Sequence, residues 1–268
     1  MAKRAVVSSA PLWDPVYLAR FRRRSGWQGP VPAFNNRRRV AAWRADYFFD
    51  SGKRCHDDLV PRLQQATGRD LGSLDVLDLA CGPGRIAMHF EGTFRSFTVS
   101  DVDHSAIDYM RENFPSMTVV LNQSRPPLPF ADDSFDAVYS WSLWTHLPHE
   151  LQMSYLADLR RILRPGGVAL LTTNGHAFLD EYQAYPRAEQ WWLGVTHDDL
   201  RGQGMIYHEY EFFDNDRTHA LTGVTASFGL TCHDPAWIQT HWADAFHIDA
   251  IEEGAMSNNQ DLVVLRLP

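Results

Sequence analysis

The chain has 268 residues, 44% of them apolar and 22% charged, with a formal net charge of −8. That is the composition of a soluble globular protein long enough to bury a substantial core, and no apolar run approaches the length of a membrane span. The first residues, MAKRAVVSSAPLWDP, lack the apolar stretch of a signal peptide. Cys55, Cys81 and Cys232 are odd in number and far apart, so neither a disulfide framework nor a zinc pattern is expected and a reducing cytoplasm is implied.

Charge is unevenly placed. Through Arg54 there are 12 Lys/Arg against 3 Asp/Glu (+9), and beyond it 13 against 30 (−17). A basic arm on an acidic body has two readings: a solvated helical face, or an attraction to an anionic partner such as a phosphorylated substrate, nucleic acid or a membrane surface. The acidity of the body counts against nucleic acid.

In chain order, residues 1–30 carry Pro, Gly and scattered aromatics without a clear period, which predicts a partly irregular arm. Helical periodicity runs over 36–66, through Val40, Trp43, Tyr47 and Phe48. Strand and helix signals then alternate. LDVLDLA is a short apolar strand and Arg85–Phe90 reads as helical. SFTVSD is a strand, HSAIDYMREN a helix with Asp103 as N-cap, MTVVLN and FDAVYSW two more strands. Residues 149–163 form the clearest amphipathic helix, with Pro148 suited to a first helical position. RPGG stops it before the buried strand VALLTTN. Residues 175–225, rich in aromatics and His, break the alternation as an insertion. A helix around DPAWIQTHWADAF, the strand HIDAIEE and the strand QDLVVLRLP close the chain, the last two pairing antiparallel. The expected organisation is a basic helical arm (1–54), a nucleotide-type core (55–174), a lid-like insertion on the substrate side (175–225), and a C-terminal helix with antiparallel strands completing the core (226–268). The fold class is α/β, a mostly parallel sheet with helices on both faces.

The chemistry concentrates at VLDLACGPGRIA, Val76 to Ala87. Gly82 and Gly84 after a strand let a ligand approach the backbone, although glycine also serves tight turns for purely steric reasons. The turn lacks G-x-G-x-x-G and the Lys-Ser/Thr of a P-loop, which takes support from dinucleotide and triphosphate readings. Asp78 ends the first strand, and Asp101 ends the second, 23 residues later. A carboxylate at that second strand end suits both hydroxyls of a ribose. Together these features point to a nucleoside ligand whose other end need not be a pyrophosphate.

In these motifs and their order the chain resembles the class I S-adenosylmethionine-dependent methyltransferases. VLDLACGPGR is similar to their first motif, with Ala80 in place of its first glycine. VSDVDHSAI is similar to the second. PPLPFADDSFDAVYSWSLWTHLP resembles the fourth-strand segment, LRRILRPGGVALLTTNG the helix and fifth strand, and NNQDLVVLRLP the closing antiparallel strand. THL after strand four and TT-x-G after strand five resemble a bacterial subgroup of tailoring enzymes for sugars, glycans and other small metabolites. The resemblance implies a Rossmann-like, seven-stranded sheet with an antiparallel final strand, and S-adenosylmethionine as cofactor with S-adenosylhomocysteine as product.

Carried onto this sequence, it implies that Asp78 orients the cofactor's amino group while the backbone of Ala80, Cys81, Gly82, Gly84 and Arg85 lines its methionine portion. Asp101 binds the ribose and Val102 lies beside the adenine. Gln123 and Ser124 stand where the family often has an acid for the adenine amino group. Ser140 and Trp141 end strand four beside the methyl group, and Arg54 is a candidate for the cofactor's carboxylate. For the acceptor, His146 is the candidate general base, since a hydroxyl benefits from one near neutrality, and His176 is the second candidate. Trp144, Trp191, Trp192, Tyr207 and His208 are candidate substrate contacts, with ordinary packing as the competing role of the tryptophans. The histidines form no H-x-x-x-H or H-E-x-x-H set, so no metal is expected. The reaction expected is methylation of a hydroxyl on a small metabolite or glycan. Methylation of a small amine, and nucleic-acid binding or RNA modification through the basic arm, stand as alternatives. Neither composition nor motif speaks to oligomeric state.

Overall fold

The computed structural model describes residues 2–40, 44–184, 194–210, 227–257 and 259–268, with side chains from residue 13 onward. Seven strands form the central sheet: β1 (Asp75–Leu79), β2 (Ser96–Asp101), β3 (Thr118–Leu121), β4 (Phe135–Ser140), β5 (Leu163–Thr173), β8 (His247–Met256) and β9 (Gln260–Arg266). Their order is β3-β2-β1-β4-β5-β9-β8. The first five are mutually parallel, whereas β9 runs antiparallel to β5 and β8 antiparallel to β9. The antiparallel end follows from the short GAMSNN connection, too short for a crossover. Strand order reverses between β1 and β4, which opens a crevice at their carboxyl ends.

Two apolar layers cover the sheet. On one face α3 (Ala45–Thr67) and α4 (His104–Asn113) bury Phe48, Leu59, Leu63, Ile107 and Met110 against Val76, Val99 and Tyr139. On the other, α5 (His149–Ile162) and α8 (Pro235–Trp242) bury Leu151, Leu159, Ile238 and Trp242 against Leu77, Val138 and Leu171. Alternate residues of the central strands serve the two layers, as period-two side chains require. Asp103 caps α4 by accepting from Ser105 N–H (2.9 Å) and Ala106 N–H (3.2 Å).

Three local expectations are revised. The arm is more regular than expected: α1 (Ala2–Ser25) is continuous and packs on α3, with the Phe21 and Phe49 rings stacked at 4.5 Å, and irregular chain follows over 26–33. The single helix expected over 36–66 is two, α2 (Phe34–Arg39) and α3 from Ala45 onward; Trp43 lies outside the described residues. The helix expected over Arg85–Phe90 is one 3-10 turn, Ala87–Phe90, bracketed by Gly84 and Gly92 with left-handed φ of +76° and +74°.

Within the expected insertion lie α6 (His176–Ala184), α7 (His197–Gln203) and β6 (Met205–Glu209). β6 pairs antiparallel with β7 (Gly229–His233), so this small second sheet reaches past residue 225. Gly229 N–H donates to the His146 carbonyl (2.9 Å) and Thr231 N–H to that of Thr145 (2.8 Å), fastening it to the segment after β4. Among the described residues no helix is long and apolar enough to cross a membrane.

Candidate functional site

The corner after β1 is built from backbone. The Ser100 carbonyl accepts from both Ala80 N–H (2.8 Å) and Cys81 N–H (3.0 Å), which pins the turn to β2. Gly84 lies so close to α4 that a Cβ there would stand 2.3 Å from Met110 Sδ. Gly52 performs the matching service from above, since a Cβ on it would lie 1.9 Å from the Arg85 carbonyl oxygen. Helix α3 therefore crosses directly over the turn because residue 52 has no side chain. Ala80, where glycine would be at ease, holds φ +70°, a left-handed conformation costing about 1–2 kcal/mol for a residue with a Cβ.

Two carboxylates face this corner. Asp78 is 3% exposed and accepts a hydrogen bond from Tyr139 Oη at 2.7 Å. Burial pushes its pKa up to about 7; Tyr139 opposes the shift and the nearby Asp101 charge adds to it. Asp101 accepts Gly82 N–H on Oδ2 (2.7 Å) and Asp103 N–H on Oδ1 (2.9 Å). Burial also raises its pKa, against these backbone donors. Each oxygen keeps a second acceptor site, so a diol can be bound by a carboxylate already held rigid. The Cys81 thiol is buried and its pKa raised by desolvation, which leaves it an inert wall.

Beyond β3, Asn122 donates through Nδ2 to the Gln123 carbonyl (2.8 Å), while its buried Oδ1 has no partner among the described residues. An orphan buried acceptor suits an amino group such as that of adenine. The expected Gln123 is exposed, and Ser124 is buried with its carbonyl accepting from Tyr155 Oη (3.3 Å). Sequence alone does not distinguish Asn122 from the adjacent amide Gln123, since only packing decides which of the two turns inward. Val102 is half-buried beside Asp101. Arg54 is exposed on α3; it is Arg85 that reaches inward, donating to Ser51 Oγ (3.2 Å) and lying 3.5 Å from Cys55 Sγ. The arm also reaches this corner. Val40 Cγ1 is 3.0 Å from the position of a Gly82 Cβ, Asn36 Nδ2 donates to the Ser105 carbonyl (3.2 Å), and Arg39 pairs with Asp103.

At the end of β4, Ser140 Oγ donates to the Leu79 carbonyl (2.7 Å), a strand-to-strand tie, and buried Trp141 leaves Nε1 without a partner among the described residues. Trp144 is fully buried between Tyr155 and Trp242, edge-on at 6.0 and 6.4 Å; it belongs to the core rather than to a substrate wall. His146 is held differently. Its Nδ1 lies 2.7 Å from the Gly229 carbonyl oxygen, and its ring stacks on Phe228 at 4.5 Å. A carbonyl only accepts, so Nδ1 carries the proton and Nε2 the lone pair. Burial lowers its pKa, which keeps the ring neutral near pH 7.

His176 is committed at both nitrogens: Nε2 to Asp234 Oδ2 (3.1 Å) and Nδ1 to His197 Nδ1 (2.7 Å), whose Nε2 meets Asp180 (2.7 Å). It braces α6 against α7 and α8 and has no free nitrogen for a substrate. Tyr207 and His208 lie on β6, Tyr207 with a buried hydroxyl that has no partner among the described residues. Trp191 and Trp192 lie outside the described residues. No group of three or more potential metal ligands occurs among the described residues.

Comparison with known proteins adds the following. A family model described as a methyltransferase domain matches residues 76–167. An uncharacterized methyltransferase of Mycobacteroides abscessus is 30% identical over 209 residues, 73% of this chain and 78% of that protein. A probable phthiotriol/phenolphthiotriol dimycocerosates methyltransferase of Mycobacterium ulcerans is 33% identical over 122 residues, 44% of this chain and 45% of its own length. The match thus spans under half the length of the latter kind of relative. A solved S-adenosylmethionine-dependent methyltransferase from Clostridium acetobutylicum covers 80% of this chain and 91% of its own at 13% identity, with a TM-score of 0.54, and so shares the fold.

Proposed function

We propose, since this chain belongs to the class I S-adenosylmethionine-dependent methyltransferases, that it methylates a hydroxyl group of a small-molecule or glycan acceptor with His146 as general base. The residues at the corner fit the cofactor. Asp101 is preset for a ribose diol, the Asn122 Oδ1 without a partner among the described residues suits an adenine amino group, half-buried Gly82 presents backbone to the methionine portion while Gly84 lets the turn pack on α4, and Asp78 offers a carboxylate to an ammonium group. When bound, S-adenosylmethionine supplies a methyl group on a positively charged sulfur, already activated for transfer.

The chain's own work is then positioning, water exclusion and proton management. The turn, α3 and the Val40 segment enclose the corner, and holding reactants in line is worth roughly 7–11 kcal/mol in favourable cases. The observation that carries the oxygen reading is the His146 tautomer. Nδ1–H is spent on the Gly229 carbonyl, so Nε2 is available to take a proton from an acceptor hydroxyl at the end of β4. The stack on Phe228 fixes the ring plane. The mycobacterial relatives, named for phthiotriol and phenolphthiotriol dimycocerosates, support a small-molecule acceptor over a nucleic acid.

The test is a panel of hydroxylated and amine acceptors, with S-adenosylhomocysteine as the readout. His146→Ala lowers kcat on a hydroxyl acceptor by about 100-fold or more and leaves cofactor affinity unchanged. Undiminished turnover of that variant on an amine transfers the assignment to nitrogen methylation.

A further inference from the structure

Three large hydrophobic side chains stand exposed among the described residues: Trp13 at 58%, Val16 at 57% and Tyr47 at 44%. Two of them lie on α1, three residues apart. Continuing along the same helix, Arg20 and Arg23 follow at steps of four and three, so Trp13, Val16, Arg20 and Arg23 form one stripe. It faces away from the layer in which Phe21 packs on Phe49. The stripe is about 15 Å long. Arg22 is exposed on the adjoining flank, about 100° round the helix from Arg23, and Arg20, Arg22 and Arg23 make no ion pair among the described residues. Acids near the helix are engaged elsewhere: Asp14 pairs with Arg37, and Asp50 with Arg24 at 2.7 Å.

We propose that this stripe docks α1 flat on the surface of an anionic lipid bilayer, with Trp13 and Val16 inserted at the headgroup boundary, Arg20 and Arg23 against lipid phosphates, and Arg22 adding to the positive field from the flank. Both halves of the stripe are needed to choose this occupant. Unpaired arginines on a chain whose remainder carries −17 call for an anionic partner. An exposed indole and a neighbouring aliphatic group add what a bilayer boundary takes up and a phosphate backbone does not. Among the described residues no helix is long and apolar enough to span a membrane, and the contact proposed is a peripheral one. The inference does not depend on the reaction proposed above. The stripe belongs to the same arm whose later residues reach the cofactor corner, Val40 lying against Gly82 and Arg39 pairing with Asp103.

Flotation of the full chain with vesicles tests it, comparing phosphatidylcholine alone with phosphatidylcholine containing about one-third phosphatidylglycerol at low salt. Binding to the anionic vesicles is expected, with a partition about 100-fold above that on neutral ones and largely lost at high salt. Replacing Arg20, Arg22 and Arg23 together by Glu abolishes it. The pair Trp13→Ser and Val16→Ser weakens it about tenfold or more at unchanged net charge. Both variant sets are surface changes whose folding is checked by circular dichroism. Absence of binding to anionic vesicles overturns the proposal. So does full binding by the Trp13/Val16 variant accompanied by equally salt-sensitive binding to a short RNA, which assigns the arm to nucleic acid.

Discussion

Strand β1 carries an aspartate near each end, and the two ends are treated in opposite ways. At its start, Asp75 receives Arg95 Nε at 2.8 Å and the Ser96 hydroxyl at 2.8 Å, with Arg164 beside it at 2.8 Å. Its neighbour Asp136 accepts Asp75 N–H and pairs with Arg69 and Arg164. The Arg95 hydrogen bonds lead the interactions that hold the Asp75 carboxyl well below the usual carboxylate range, against a modest burial effect. Three residues on, Asp78 has one tyrosine hydroxyl and no ion pair among the described residues, and burial lifts it to about 7. Three arginines pair with the two carboxylates at the first edge, whereas at the second Arg85 lies near Asp78 without pairing with it among the described residues, which leaves a carboxylate that a positively charged ligand can complement. An ammonium-bearing, sulfonium-bearing ligand answers that description. Perturbed carboxylates mark a binding corner when compensation is missing, and a structural clasp when it is present.

Asp101→Ala should break this contrast most severely. It deletes the diol acceptor and releases the Gly82 and Asp103 N–H groups together, so calorimetry should show S-adenosylmethionine affinity falling about 100-fold, the worth of roughly two charge-assisted hydrogen bonds. Unchanged affinity would remove the ribose assignment. Asp78→Asn should sharpen the comparison through pH. The folded-state pKa of Asp78 is raised, so in the ligand-free protein its contribution is favourable at acid pH and is lost as pH climbs from about 4 through about 7. The Asn variant escapes that loss. Its unfolding free energy relative to wild type should therefore rise over that interval and level off above it, by about 2–4 kcal/mol, as followed by urea titrations at several pH values. Cofactor binding should weaken at the same time.

Asp75→Asn is the mirror experiment, with the opposite sign. A depressed carboxyl stabilises above the unfolded pKa and loses that contribution as pH falls below about 4. Since Arg95 is exposed and screened, a loss of only about 1 kcal/mol at pH 7 is expected, shrinking in high salt, with cofactor affinity untouched. The smallest effect belongs to Ala80→Gly. Relief of the left-handed φ outweighs the added freedom of glycine in the unfolded chain by about 0.5–1 kcal/mol, read as an upward shift of about 1–3 °C in melting temperature.

Much of the frame was legible in the residues because it is written in local period and in ordered motifs. Apolar runs of strand length alternating with amphipathic helices place Asp78 and Asp101 at the carboxyl ends of neighbouring parallel strands, and the short last connection dictates an antiparallel close. The site was legible only in part. Asp103 could be read as a cap because capping is a local backbone transaction. Arg54 could not be told from Arg85, nor Gln123 from Asn122, because which of two nearby polar residues turns inward depends on what packs above it.

What the sequence determined alone, then, is the succession of elements, the glycine corner and the two strand-end carboxylates, all consequences of spacing within a few residues. Tertiary structure decided the rest. It laid α3 over Arg85 through Gly52, carried Val40 onto Gly82, sank Trp144 between Tyr155 and Trp242, and brought the Gly229 carbonyl to His146 Nδ1 across 83 residues. Each of these joins segments far apart in the chain. Contacts of that kind are set by three-dimensional close packing and by the need to satisfy every buried polar group, neither of which leaves a period in the sequence.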